Sequence, residues 1–417
     1  MGLLLLLGSC ATNRNYVAAP VDYQRADSLL KHKQFFAARA ILQTGVPLPR
    51  FYELRMRMEL DNAFNQPASA ILHADTLLQT FAPQLDRATH QRILDIQQSS
   101  HARLYNYAGA LRTMDQLIQQ HGKRIGKKEL AGYKNTRIIW QALAAQPPQT
   151  VTVKATTLIE LKRDAAGLVT LPISSGLDSL GFIFDTGANI STTTESTAQR
   201  LGFDFMEGTV LVTSITGNQV PARIAVCRQL FIRHIEVRNA VFLVFPDQAL
   251  YIPQIKYQIN GILGFPVIEA MGEMQFEKNK FLRIPQQPSQ STLRNMALDF
   301  LTPVIEIEGL SYTFDTGADQ TILYQPWYKR FFSRIDGRYP LETLRYAGAG
   351  GAITRKGYQV SFAAAVADKN IVLDSLQLFP EPLKEKEADY YGNVGQDLIG
   401  KFDKMTINFR SMYIRFE

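Results

Sequence analysis

Two stretches of this 417-residue chain repeat one another. Phe182-Ile183-Phe184-Asp185-Thr186-Gly187-Ala188-Asn189 matches Tyr312-Thr313-Phe314-Asp315-Thr316-Gly317-Ala318-Asp319, 130 positions later. A second shared motif follows each: Gly261-Ile262-Leu263-Gly264 after the first, Gly392-Asn393-Val394-Gly395 after the second. Asp185 to Gly264 is 79 positions, and Asp315 to Gly395 is 80. Two motifs in the same order at the same separation, twice, constrain this part of the chain to an internal duplication. From residue 150 onward, short apolar runs broken by Gly, Asn and Asp read as strands. Each half closes on a strand-like segment, 274–284 and 405–416. The expected halves are 150–284 and 296–417, joined by a Pro/Gln/Ser-rich linker at 285–295.

An apolar strand ending in Asp-Thr-Gly holds a carboxylate at a rigid, partly desolvated tip, and the glycine permits the tight turn. One tip per half, related by a pseudo-twofold axis, brings Asp185 and Asp315 face to face. Two carboxyls at hydrogen-bonding distance share one proton and titrate as a unit. The ionised member takes a proton from a water lying between them, while the protonated member donates to an amide carbonyl. That chemistry needs no metal, cofactor or histidine. Histidine placement agrees with it, because His234 alone among six lies beyond residue 150. This leaves no Ser/His/Asp or His-rich metal site in the C-terminal part. HExxH, Walker and Rossmann patterns are absent from the sequence. Cys227 and His234 form a thiol dyad on paper, but a buried cysteine beside a surface histidine is the favoured reading.

Residues ~150–417 resemble the retropepsin-like and pepsin-like aspartic proteases, bacterial members most. The resemblance implies a duplicated β-barrel of two lobes and an aspartic endopeptidase with Asp185 and Asp315 as its catalytic pair. It also implies that Thr186 and Thr316 interlock across the axis and that Gly187 and Gly317 offer backbone groups to a peptide or protein substrate. Asp319 would contact the substrate main chain. Ala188 and Ala318 offer the pair no hydroxyl, so activity is expected at weakly acidic to near-neutral pH. Each lobe is expected to supply a glycine-bearing flap, at 213–220 with Gly217 and at 347–352 with Gly348 and Gly350. The halves differ, with Asn189 opposite Asp319 and Gly264-Phe265-Pro266 opposite Gly395-Gln396-Asp397. That inequality points either to a directional groove or to drift in one half.

Residues 22–147 show helical spacing. Ala70, Ile71, Ala74, Leu77, Leu78 and Phe81 form one apolar face. Tyr107, Ala110, Leu111, Met114, Leu117 and Ile118 repeat it, and Phe36, Ala37, Ala40 and Ile41 precede it. Stacked helical hairpins of the tetratricopeptide type are expected, serving as a peptide groove with a protein partner or as a support. Pro147-Pro148 marks the boundary.

Met1–Cys10 reads MGLLLLLGSC. Leu7-Gly8-Ser9-Cys10 resembles the bacterial lipobox, although no Lys or Arg precedes the leucines. The resemblance implies a signal and tether over 1–21, lipidation at Cys10 and membrane attachment through that lipid. The envelope location it implies is an outer-membrane lipoprotein facing the periplasm, since Ala11 and Thr12 carry no acidic retention signal.

The net charge of +7 lies in the first third. Residues 11–150 hold 18 Lys and Arg against 10 Asp and Glu, and the rest holds 27 against 28. Lys123, Arg124, Lys127 and Lys128 read as a solvated helix face or a lipid-proximal one. Without a recognition motif they do not imply nucleic acid. The chain is expected to be a monomer whose lobes pair intramolecularly. Two other readings remain open: a degenerate peptide-binding lipoprotein, and lobes that pair between chains.

Overall fold

The computed structural model describes residues 19–417, apart from Leu177, Ile215, Asn279, Ala349, Gly350 and Lys384. Cys10 and the leucine run lie outside these residues. An N-terminal helical region comes first: α1 (Val21–Lys31), α2 (Phe35–Gln43), α3 (Arg50–Ala63), α4 (Pro67–Thr80), α5 (Arg87–Arg103), α6 (Tyr107–His121) and α7 (Lys127–Leu143). Pro20 and Pro49 precede α1 and α3, and Pro67 opens α4. Proline lacks the N–H that a first helical turn leaves unpaired, so it suits these positions. Asp86 and Asn106 cap α5 and α6 by accepting from the Thr89 and Gly109 backbone N–H groups.

The turns joining α1 to α2, α3 to α4 and α5 to α6 each contain one left-handed residue: Lys33, Asn65 and Tyr105, with φ of 58°, 56° and 55°. The same three residues dock onto the β-rich part. Lys33 Nζ reaches Asp299 Oδ1 at 2.8 Å, and Asn65 Nδ2 donates to Glu269 Oε1 at 2.9 Å and to the Phe409 carbonyl at 3.0 Å. Tyr105 Oη donates to the Pro266 carbonyl at 2.9 Å.

The buried faces of α4 and α6 include the expected Ala70, Ala74, Leu77, Tyr107, Ala110, Met114 and Leu117. The α2 face differs. Phe35 and Ala38 are buried, whereas Ala37 and Ala40 are exposed. Phe35 and Ala38 share a core with Met56 and Leu60 of α3 and with Ala297 and Val304 of the second half. A helix that must meet the β-rich part as well as its own neighbour is rotated away from the face the repeat spacing picks out.

The large β-rich part follows, so the chain is α plus all-β. Among the described residues its main sheets have nine and eight strands. Five short helices interrupt them: Glu195–Arg200, Phe265–Ala270, Gln325–Arg330, Phe332–Ile335 and Gln396–Ile399. Strand patterning did not anticipate these single turns. A third, five-stranded sheet runs Thr157–Glu160, Phe281–Ile284, Glu273–Glu277, Lys404–Asn408, Tyr413–Phe416. Each closing segment is therefore a hairpin, and the two hairpins pair antiparallel from Glu273↔Asn408 to Glu277↔Lys404. This sheet ties the two lobes together.

Residues 285–295 lie along that sheet, fixed by Glu273. Its carboxylate has 0% exposure and accepts from Ser289 N at 2.8 Å, Asn408 Nδ2 at 2.9 Å and Tyr413 Oη at 3.3 Å. A buried carboxylate is tolerated only when hydrogen-bonded in this way. Glu273→Ala strands several buried donors and is expected to cost about 3 kcal/mol. Glu273→Gln, which still accepts, costs less. Calorimetric unfolding of the two variants checks the order.

Candidate active site

The second motif of each lobe is threaded through the loop made by the first. Gly261–Leu263 runs parallel to Ser179–Phe184 and antiparallel to Ser191–Thr194. Gly392–Val394 does the same between Leu310–Phe314 and Ile322–Leu323. Asp185 N therefore donates to the Leu263 carbonyl at 3.1 Å, and Asp315 N to that of Val394 at 3.0 Å. A Cβ on Gly264 would lie 2.7 Å from the Ile190 carbonyl carbon, and one on Gly395 the same distance from that of Gln320. Backbone approach this close is why glycine stands there.

The two Asp-Thr-Gly turns meet across the axis. Thr186 N donates to Thr316 Oγ1 at 3.1 Å, and Thr316 N to Thr186 Oγ1 at 3.0 Å. Each hydroxyl also donates across: Thr316 Oγ1 to the Phe184 carbonyl at 3.1 Å, and Thr186 Oγ1 to the Phe314 carbonyl at 3.4 Å. Both threonines are buried, at 0% and 2% exposure, so these bonds are shielded from water.

Each glycine supports the opposite carboxylate. A Cβ on Gly317 would fall 2.3 Å from Asp185 Cγ, and one on Gly187 2.7 Å from Asp315 Cγ. The carboxyl groups of Asp185 and Asp315 are thereby placed side by side, each against the glycine of the opposite turn. Asp185 Oδ1 accepts from Gly187 N at 2.7 Å and Ala188 N at 3.0 Å, and Asp315 Oδ1 accepts from Gly317 N at 2.8 Å. Burial first, and then the facing Asp315 carboxylate, raise Asp185 well above the usual carboxylate range. Two carboxyls this close, one of them raised, can act as a general acid and a general base in one pair.

The remaining candidates are distributed unequally. Asp319 is exposed. The Asn189 Oδ1 atom is buried without a hydrogen-bond partner among the described residues. The first candidate flap is the turn between Asp204–Thr213 and Gln219–Ile232, where Gly217 (φ 85°) donates to the Ser214 carbonyl at 3.0 Å. The second joins Glu342–Gly348 to Gly351–Val366, with Gly348 paired to Gly351. Gly350 lies outside the described residues. Gly351 has φ of 133°, and a Cβ on it would lie 2.9 Å from Thr216 Cγ2, so the two hairpin tips touch.

Cys227 and His234 do not form a dyad. Burial pushes the Cys227 thiol up to about 12, its Sγ donates to the Gln229 carbonyl at 3.3 Å, and His234 is exposed.

Sequence reasoning did not single out Asn393, whose Nδ2 reaches Asp315 Oδ2 at 3.5 Å while its Oδ1 accepts from Thr313 Oγ1 at 2.6 Å. Nor did it give roles to Gln396 and Asp397. Gln396 Nε2 donates to the Thr316 carbonyl at 2.7 Å, and Asp397 Oδ1 accepts from Thr321 Oγ1 at 2.6 Å. Their position beside the second glycine motif was the available signal.

A family model described as aspartyl protease matches residues 169–267, which hold Asp185 and Gly264. The crystal structure of basic 7S globulin from soybean is similar over 65% of this chain and 95% of that one, at 9% identity and a TM-score of 0.40. No curated protein matches the sequence. Residues 169–267 thus form an aspartyl-protease-like segment.

Proposed function

We propose that this protein is an aspartic peptidase, anchored in a bacterial envelope through a lipidated Cys10, that hydrolyses peptide bonds with a water activated between Asp185 and Asp315. The observation that carries the reading is the pair of facing carboxyls, held by reciprocal threonine bonds from two lobes of one chain. In the working state the ionised carboxylate takes a proton from the water, and the water oxygen attacks the scissile carbonyl carbon. The protonated partner donates to the carbonyl oxygen, and the tetrahedral intermediate collapses with a proton passed to the leaving amine. The flaps at Gly217 and Gly348 close over the peptide, and the tetratricopeptide-like hairpins engage it or a protein partner. The test is turnover of a peptide library, lost on Asp185→Asn or Asp315→Asn and on adding a statine-type inhibitor. Binding without turnover, indifferent to both substitutions, would establish the degenerate peptide-binding reading instead.

The pH dependence follows from the alanines. Ala188 N already donates to Asp185 Oδ1 at 3.0 Å, so a hydroxyl added at that residue starts within reach of the carboxylate. A hydrogen bond to the ionised form lowers a pKa. Ala188→Ser is expected to move the acidic limb of the pH–rate profile down by about one unit, the size of one charge-assisted hydrogen bond. An unmoved limb would show that the side chain does not reach the pair. The unsubstituted protein is expected to work at weakly acidic to near-neutral pH.

A further inference from the structure

An apolar chamber adjoins the space that holds the carboxyl pair. That space, a cavity of about 500 Å³, is lined by Gly187, Asn189 and Asp315. A second cavity of about 450 Å³ shares Ser99, Asn189 and Phe300 with it. The walls of the second come from three parts of the chain: Tyr107, Ile139 and Trp140 of α6 and α7, Ile190 and Phe265 of the first lobe, and Phe300 of the second. A hollow of this size with a mainly apolar lining suits a bulky organic group.

The lining is held firmly. Tyr107 and Trp140 are buried and stack, with ring centroids 6.1 Å apart at 18°. Trp140 Nε1 donates to Gln98 Oε1 at 3.0 Å. Polar side chains in the lining bond to protein neighbours: Arg103 donates to the Asn62 carbonyl at 2.8 Å, and Gln149 Nε2 to Tyr105 Oη at 2.9 Å and the Pro266 carbonyl at 3.0 Å. Packed interiors leave few voids larger than a water molecule, so an apolar hollow kept open by fixed groups is matched to an occupant.

Phe300 gives an independent observation. Asp299 pairs with Thr302, so Phe300 and Leu301 form a two-residue hairpin turn, and Phe300 has φ of 57°. Glycine is usual at the first position of such a turn, because a side chain there strains the backbone. The chain sets a large aromatic there with 44% of its surface exposed, so burial does not offset the strain. Its neighbours hold it in place. Asp299 accepts from Lys33 Nζ at 2.8 Å and from Tyr390 Oη at 2.9 Å, and Leu301 is buried. Strain maintained in this way beside a site points to a role in that site.

We propose that the chamber is a subsite selecting a large apolar side chain of the substrate, with Phe300 as a specificity residue where the two cavities meet and Trp140 in the wall. An apolar lining rejects a charged side chain, which would be desolvated without a partner. Its aromatic rings favour an aromatic or large aliphatic one. A peptide lying across the carboxyl pair and past Asn189 delivers that side chain from one fixed position counted from the cut bond. The helical region then helps to choose where the peptide is cut. The inference rests on the peptidase reading above and deepens it by naming a substrate class.

The experiment uses the full chain and a set of peptides of constant sequence in which each position in turn is Phe, Leu, Ala or Asp. Cleavage sites are read by mass spectrometry and kcat/KM by product formation. At one position relative to the cut bond, Phe and Leu are expected to exceed Ala by roughly tenfold or more, and Asp to be cut least. Phe300→Gly is expected to bring the Phe-to-Ala ratio toward one while the melting temperature holds or rises, because glycine accepts the left-handed turn. Ala102→Phe, which fills the chamber from α5, is expected to turn the preference toward small side chains. Equal cutting whatever the side chain, or a preference for a charged one, overturns the inference while leaving the peptidase reading intact. A Phe-to-Ala ratio unchanged by Phe300→Gly does the same. Failure to find any cleavage sensitive to Asp185→Asn removes both.

Discussion

Asparagine at position 185 is expected to lower kcat by roughly 10³-fold or more, the scale of losing a general acid–base group, while raising the melting temperature near neutral pH. The second effect follows from linkage. Asp185 in the folded protein holds a proton to higher pH than in the unfolded chain, because it is buried and faces Asp315. Between the unfolded value near 4 and the folded one, the native state therefore binds more protons than the unfolded state. Stability falls as pH rises through that window. An asparagine carries no ionisable group and escapes this cost, so Asp185→Asn gains stability at pH 7 and gains nothing at pH 4. Calorimetry at the two pH values, beside an activity assay, tests both. A difference from the unsubstituted protein that is the same at both pH values would mean that the pair does not share a proton.

Thr316→Val is the second large effect. Valine preserves the shape of the side chain and removes the hydroxyl. The Thr186 N–H then loses its acceptor at 3.1 Å and the Phe184 carbonyl its donor at 3.1 Å, both in a water-excluded site. Two stranded buried groups cost about 2–4 kcal/mol together. Activity is expected to fall at least tenfold, because Phe184 and Thr186 flank Asp185 and lose their hold on the other lobe. Denaturant unfolding gives the stability loss, and Thr316→Ser, which keeps the hydroxyl, is expected to recover most of it. A stable, active valine variant would show that the cross-axis bonds do not set the geometry of the pair.

Much of the site was legible because its determinants are local. An apolar strand, an Asp-Thr-Gly and a distant Gly pair are all visible in one dimension, and their repetition at matched spacing makes the lobes legible too. What was hidden depends on contacts between remote segments. Asn393 meets Asp315 because its strand runs parallel to the one ending at Phe314, a pairing that leaves no mark on either segment. The contact of Gly351 with Thr216 joins hairpins from different lobes. Lys33 and Tyr105 adopt left-handed turns that sequence assigns to glycine or asparagine, and only Asn65 signals its own. The face of α5 carrying Arg92 reads as solvated polar surface until the lobes are set beside it, where Arg92 and Asp315 line one cavity.

The left-handed turns of the helical region have a mechanical consequence. Lys33 grips the C-terminal lobe, Tyr105 the N-terminal lobe, and Asn65 touches both through Glu269 and Phe409. A rod bolted at three points across a joint stiffens that joint, so scissor motion of one lobe against the other is suppressed. On the peptidase reading, admission of substrate then falls to the hairpin tips, where Thr216 and Gly351 touch. The helices act as a splint, and on that reading the hairpin tips are what is left to move.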